Sequence, residues 1–281
     1  MSLFINWNGK KVIGNQVNIS PDNRSFRYGD GCFETMKMVN GKLLLRQYHF
    51  ERLFNSVKLL KLRFSPNLLS NELLLQIYEL AESNGQSGFA RIRLTIYRKG
   101  GSNQKISSEA GYLIETMAGD ETTQKYNEKG LQLGIYKDVQ KSCDLFSAIK
   151  SNNYLPYTMA KIWANENKLD DGIVCNSSGR VADSTIANVF IVENGTIKTP
   201  PLSEGCICGV MRRHLMACFK SENLPFKEEP INIDQLLNAA EVFLTNAIIG
   251  IKWVAKIDKS EYTNATSAML FEKCIKPLFS R

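Results

Sequence analysis

Four tight-turn dipeptides punctuate the chain at Asn8-Gly9, Asn40-Gly41, Ser178-Gly179 and Asn194-Gly195, each beside short apolar segments. Asn and Gly tolerate the positive φ that two-residue hairpin loops demand, so these pairs predict antiparallel hairpins in both halves of the chain. Phe4 to Asn8 and Lys11 to Val17 read as the first hairpin, and Leu43 to Leu45 as a strand after the second turn. Arg91 to Tyr97 alternates with the period of a half-buried strand. Further on, Leu131–Tyr136, Gly172–Cys175, Arg180–Ser184, Val189–Val192, Thr196–Lys198 and Glu241–Thr245 read as strands.

Helical spacing lies between them. Phe50, Leu53, Phe54, Val57 and Leu60 share one face, and a second helix follows Pro66, with Ser70 as its cap and a stripe of Leu73, Leu74, Ile77, Tyr78 and Ala81. A third helix is expected over about Tyr154–Asn167 and a fourth after Gly209. The polar stretch 119–130 has little periodicity and reads as a linker, giving an α/β lobe over 1–118 and a β-rich lobe over 131–281. The fold class is therefore α+β. With 281 residues and 43% hydrophobic content, two such lobes can each hold a core.

Composition narrows the function classes. Seven scattered cysteines form no disulfide framework, and with only two histidines a zinc site lacks ligands, so no metal is expected. The net charge of +7 is spread without basic runs, which argues against nucleic acid and suits small anionic ligands. The first residues lack a secretory pattern, and no apolar run reaches the roughly 18 residues that span a bilayer. A cytoplasmic protein without a membrane partner is expected.

Four segments carry candidate chemistry. Lys150 ends an apolar step and precedes amide-rich residues, a niche that suits a nucleophile or base, although a lysine beside a helix start is also an ordinary surface group. In Gly205-Cys-Ile-Cys-Gly-Val-Met-Arg-Arg213 a glycine opens an amphipathic helix, where free N–H groups and the helix dipole favour an anion such as phosphate; the bland alternative is a tight helix entry. Asp183 is followed by small residues and suits a protonated ring nitrogen, or is a plain strand-end acid. Thr245 and Asn246, at the end of a buried strand, offer hydrogen bonds to a ligand or merely begin a loop.

In this order, behind Arg27-Tyr-Gly-Asp-Gly-Cys-Phe-Glu-Thr35, these segments resemble the motif series of the class IV aminotransferases, the fold-type IV pyridoxal 5′-phosphate (PLP) enzymes. The resemblance extends from the first hairpin to about Val254 and implies a two-lobed fold of the D-amino-acid aminotransferase kind. It implies that Lys150 anchors PLP covalently and moves the proton, and that Arg52 grips the phosphate together with the N–H groups of Val210 and Met211 and with Thr245 or Asn246. It further implies that Tyr154 meets the phenolic oxygen and Asp183 the ring nitrogen. The family usually has glutamate where Asp183 stands, thirty-three positions after Lys150, so the backbone must come closer or a water must bridge.

Arg98 matches a substrate-carboxylate contact, with a strand-end surface arginine as the alternative, and Tyr28 belongs to the front motif assigned to the substrate. His49 is expected to orient Arg52. Tyr28-Gly-Asp-Gly-Cys-Phe33, Gly209-Val-Met-Arg212 and Thr245-Asn-Ala-Ile-Ile-Gly250 look closer to aminodeoxychorismate lyase than to the transaminases, whereas Phe33-Glu-Thr35 resembles branched-chain and D-amino-acid aminotransferases. Either way the substrate is a small amino compound bearing a carboxylate, and family members imply a homodimer.

Overall fold

The Asn-Gly turns form where the sequence places them. Asn8 and Gly9, Asn40 and Gly41, and Asn194 and Gly195 all adopt positive φ, between 50° and 87°, the twist that matches flanking antiparallel strands. The computed structural model describes residues 3–65, 70–101 and 106–279. The chain divides into two units: Met1–Asp120 with Ile149–Asn153, and Glu121–Ala148 with Tyr154–Arg281.

The first unit contains β1 (Phe4–Trp7), β2 (Lys10–Ile13), α1 (Arg24–Tyr28), β3 (Gly31–Val39), β4 (Lys42–Leu43), α2 (Arg46–Leu59), α3 (Ser70–Ser83), β5 (Phe89–Arg98) and β6 (Ala110–Ala118). Its six strands make one sheet in the order β2-β1-β6-β5-β3-β4, antiparallel throughout. The apolar face of α2 read from the sequence buries Phe50, Leu53 and Val57, and α3 buries Leu73, Ile77, Leu80 and Ala81, in a core shared with Met36, Met38, Ile92, Leu94 and Ile114 of the sheet. Ser70 is the first helical residue of α3; the expected start at Pro66 lies outside the described residues.

The second unit contains β7 (Leu131–Lys141), α4 (Leu155–Glu166), β8 (Asp171–Asn176), β9 (Val181–Ser184), β10 (Asn188–Glu193), β11 (Thr196–Thr199), α5 (Val210–Ser221), β12 (Phe226–Glu228), α6 (Ile233–Leu237), β13 (Glu241–Asn246), β14 (Gly250–Ile257), β15 (Ser260–Glu261), α7 (Ala265–Leu270) and α8 (Lys276–Phe279). The run β10-β13-β14-β7-β8-β9 returns to β10 through the single pair Asn188–Asp183, so the sheet closes on itself like a barrel. Leu133, Ile173, Val181, Val189, Ile191, Val242, Leu244 and Val254 fill one apolar cluster. Phe190 and Phe243 stack with ring centres 5.1 Å apart, and Phe219 of α5 meets Phe190 edge-on at 6.0 Å. Full burial of a ring such as Phe219 is worth about 1.5–3 kcal/mol, which fixes α5 against β10 and β13.

Two boundaries differ from the sequence reading. The stretch 119–130 belongs with the second unit from Glu121 onward: Tyr126 Oη hydrogen-bonds Ser267 Oγ at 2.7 Å, and Asn127 bonds the backbone of Trp253 through both its side-chain atoms. The segment Ile149–Asn153, placed by the sequence in the second lobe, groups with the first unit because it pairs with the start of β3.

Candidate active site

In the first unit the chain at Lys150 is laid against β3 by two backbone hydrogen bonds, Phe33 N–H to Lys150 O at 2.9 Å and Asn152 N–H to Gly31 O at 3.0 Å. This approach requires glycine at position 31, where a Cβ would come within 2.1 Å of Ile96 O and 2.6 Å of Asn152 Nδ2. Ile149 is buried in the core and Lys150 is half-buried, with Nζ 4.7 Å from the centre of the Phe33 ring. The ring gives the ammonium a weakly attractive apolar neighbour in place of water.

Behind β3 lies a buried charge cluster. Glu34 is 2% exposed; it accepts from Arg52 Nε at 2.7 Å and Arg52 Nη2 at 2.5 Å, and its Oε2 lies 2.7 Å from His49 Nδ1. Burial pushes the Glu34 carboxyl up, but the Arg52 charge and the His49 and Arg52 hydrogen bonds overcome it and hold the group at about 2. Burial pulls the His49 pKa down against the pull of Glu34. A neutral His49 donates from Nδ1 to the carboxylate, which leaves Nε2 as an acceptor; it is buried without a hydrogen-bond partner among the described residues. The expectation that His49 orients Arg52 is therefore corrected: Glu34 orients both side chains.

Arg98 is held by several partners within the first unit. It is 9% exposed and donates to Asp30 Oδ2 at 2.9 Å and to the carbonyls of Leu60 at 2.7 Å and Ser107 at 2.9 Å. Its guanidinium ties the end of β5 to the chain after α2. Burial raises the Asp30 carboxyl, while Arg98 and Arg24 outweigh it and leave it lowered. Tyr28, at the end of α1, is 53% exposed and lies under the Arg24 guanidinium at 5.1 Å.

In the second unit Asp183, Asn188 and Thr245 occupy neighbouring rungs of β9, β10 and β13. Asp183 is 2% exposed and receives Tyr157 Oη at 2.8 Å, Asn188 Nδ2 at 2.9 Å, Ile207 N–H at 2.9 Å and Lys141 Nζ at 3.4 Å. Burial raises its pKa despite the opposing Lys141 charge and these hydrogen bonds. Lys141 reaches inward because β7 slips in register against β8 between Tyr136 and Gln140, the kind of irregularity that re-aims a side chain. Lys141, Tyr157 and Asn188 were not singled out in the sequence; the polar Asn188 inside the apolar run of β10 was the available signal.

Next to this carboxylate, α5 starts without a side-chain cap at Gly209, so the first-turn N–H groups, those of Val210 and Met211, have no capping side chain. A Cβ at Gly209 would meet Asn188 Oδ1 at 1.8 Å, which keeps this entry to glycine. Thr245 is fully buried, and its Oγ1 has no hydrogen-bond partner among the described residues. An uncapped helix start and an orphaned hydroxyl on the adjoining strand are the donors a phosphate ester requires. Asn246 Oδ1 accepts from Ile248 and Ile249 N–H, and its Nδ2 donates to Ile186 O, so the side chain braces the β13–β14 turn. Tyr154 donates its hydroxyl proton to Thr185 O at 2.8 Å.

Among the described residues no cluster of three His, Cys, Asp or Glu side chains forms a metal site, and no helix is long and apolar enough to cross a membrane.

The model of the family described as amino-transferase class IV matches residues 31–257. The chain is similar to aminodeoxychorismate lyase of Bacillus subtilis, at 29% identity over 280 residues covering 96% of this chain and 94% of that one. It is similar to D-alanine aminotransferase of Staphylococcus haemolyticus, at 27% identity over 255 residues covering 89% and 88%. The solved branched-chain aminotransferase of Thermoproteus uzoniensis with norvaline superposes with a TM-score of 0.88 over 100% of this chain and 96% of its own; at 22% identity it speaks for the fold alone.

Proposed function

The chain belongs to the class IV aminotransferases, a family of PLP enzymes, and on that premise we propose that it is an aminodeoxychorismate lyase, releasing pyruvate from 4-amino-4-deoxychorismate to give 4-aminobenzoate. The observation that carries the choice is the end of β13. The position after Thr245 is an asparagine bound into its own turn and the next is Ala247, so Thr245 supplies the hydroxyl there; this is the lyase-like pattern, and the match to the B. subtilis lyase covers nearly both chains.

PLP supplies an electron sink for the pair released at the substrate Cα. In this proposal Lys150 is the covalent anchor, and its Nζ, beside Phe33, takes the Cα proton. The Val210 and Met211 N–H groups and Thr245 Oγ1 hold the phosphate, with Arg52, fixed in orientation by Glu34, as its guanidinium partner. Asp183 would face the ring nitrogen, its carboxylate form favoured by Lys141, Tyr157 and Ile207 N–H against the burial that raises its pKa.

A second reading, an aminotransferase passing an amino group from a D- or branched-chain amino acid to 2-oxoglutarate, is favoured by the similarity to D-alanine aminotransferase. PLP-loaded protein supplied with 4-amino-4-deoxychorismate, generated from chorismate and glutamine by a separate synthase, separates the two. Equal amounts of 4-aminobenzoate and pyruvate over many turnovers establish the lyase. Steady glutamate formation from amino acid and 2-oxoglutarate, with no 4-aminobenzoate, replaces it with the aminotransferase. A homodimer belongs to the same proposal and is read by light scattering.

A further inference from the structure

Within the first unit, the end of α2 borders a cavity. Leu62 N–H donates to Val57 O at 2.9 Å and Lys61 N–H to Lys58 O at 3.0 Å, the paired closure of a Schellman motif. Lys61 takes the left-handed turn at φ 53°, a place glycine usually fills, and Leu62 is buried in the core. The chain then runs beside the segment before β6. Arg63 N–H bonds Ser108 O at 2.7 Å, and the Arg63 guanidinium holds Ser108 Oγ from Nε at 3.1 Å and Nη2 at 2.7 Å. Residues of both stretches line a cavity of about 440 Å³, within the roughly 300–1,000 Å³ of small-molecule sites.

The lining separates by chemistry. Phe54, Val57 and Leu62 supply apolar surface, and the half-buried Phe54 ring is held edge-on to Phe64 at 6.0 Å. Lys58, Lys61 and Arg63, all exposed, supply positive charge, and no acidic side chain is among the described residues that line the cavity. None of the three cations is paired with a carboxylate among the described residues. A helix C-terminus by itself disfavours an anion, through its unpaired carbonyls. Here the carbonyls are occupied: Val57 O and Lys58 O by the turn, Leu60 O and Lys61 O by the Arg98 guanidinium at 2.7 and 3.5 Å.

We propose that this cavity binds a small aromatic carboxylate, its ring against Phe54, Val57 and Leu62 and its carboxylate among Lys58, Lys61 and Arg63. None of these residues is among those assigned to the cofactor, and the site does not rest on that assignment. An apolar hollow without charge takes any hydrophobic solute, and exposed cations without a hollow hold any anion weakly. Joined, they select a molecule that carries both ends. A flat ring suits the floor because aromatic pairs gain beyond the area they bury. The cations are exposed, so added salt weakens the complex.

The test is a ligand-observed NMR titration of the full-length, PLP-loaded protein with benzoate, and with benzamide and acetate as probes that lack the charge and the ring. Benzoate should bind with a dissociation constant on the order of 1 mM, what so small a ligand allows, and both other probes about tenfold more weakly. Replacing Lys58→Gln and Lys61→Gly together should weaken benzoate about fivefold, the value of two exposed charge contacts. Glycine suits the positive φ at position 61, so the fold is kept, and an undiminished thermal midpoint verifies it. Benzoate bound equally by the parent and the doubly substituted protein sits elsewhere and overturns the proposal. So does benzamide bound as tightly as benzoate, or no binding of benzoate at about ten times the expected constant. Each outcome reads the same whichever residues hold the cofactor.

Discussion

Replacing Glu34 by Gln tests the cluster that stands between the fold and the Lys150 region. Glu34 is the anion that faces both Arg52 and His49, and all three side chains are at most 10% exposed. Holding this carboxyl at about 2, against an ordinary value of 4.5, corresponds to about 3 kcal/mol of folding free energy. Removing one partner of a buried ion pair costs about 3–5 kcal/mol, because the remaining charge stays buried. The Gln side chain still accepts from Arg52, but its amide N–H now opposes the His49 Nδ1 proton, so His49 must change tautomer or lose the contact. The thermal midpoint of the first unit should fall by roughly 10 °C. The pH dependence provides a second reading: Glu34 stabilises the fold fully above about pH 4.5, and this contribution is lost as the pH falls towards 2. His49, with its pKa lowered in the folded state, costs stability as the pH falls below its ordinary 6.5, since only the unfolded chain readily takes up that proton. Glu34→Gln should abolish the first loss and keep the second. Chemical and acid denaturation of both proteins measure this; a loss below about 1 kcal/mol, or an unchanged acid limb, would refute the coupling.

Lys150→Ala should leave no residue to which borohydride fixes the cofactor, and a chain that still gains the cofactor's mass after reduction removes Lys150 from its role. Thr245→Val should weaken PLP binding about 10- to 100-fold, the value of a hydrogen bond to a charged group, and leave phosphate-free pyridoxal unaffected; equal weakening of both ligands contradicts a phosphate contact. Arg98→Ala should lower stability by about 2–4 kcal/mol through the hydrogen bonds it leaves unmade, with KM unchanged, and a selective rise in KM returns Arg98 to the substrate. Lys141→Met should raise the Asp183 carboxyl further and shift the acid limb of kcat upward, read from a pH-rate profile; an unmoved limb contradicts the pairing.

Local rules reached part of this architecture. The Asn-Gly hairpins and the apolar faces of α2, α3 and α5 depend on neighbours within a few residues, and they lie where the sequence placed them. β3, β6 and β14 were not read. β3 carries Cys32, Phe33, Glu34, Met36, Lys37, Met38 and Val39 all buried, so both faces are covered and the alternation that marks a half-exposed strand is missing. The same covering hid Glu34 as the partner of Arg52 and Lys141 as the partner of Asp183, since neither pairing leaves a pattern at fixed spacing.

By itself the sequence determined the family, through ordered motifs around Lys150, Asp183, Gly209 and Thr245, and it determined the hairpins, through residues that accept positive φ. Tertiary structure alone decided how each polar side chain is used: Arg98 braces backbone carbonyls, Asn246 holds its own turn, and Thr245 keeps a buried hydroxyl without a protein partner among the described residues. The physical reason is range. Backbone conformation and amphipathic period are set by residues close in sequence, whereas a buried donor or acceptor must be satisfied by whatever group the fold brings within about 3 Å, usually from tens of residues away.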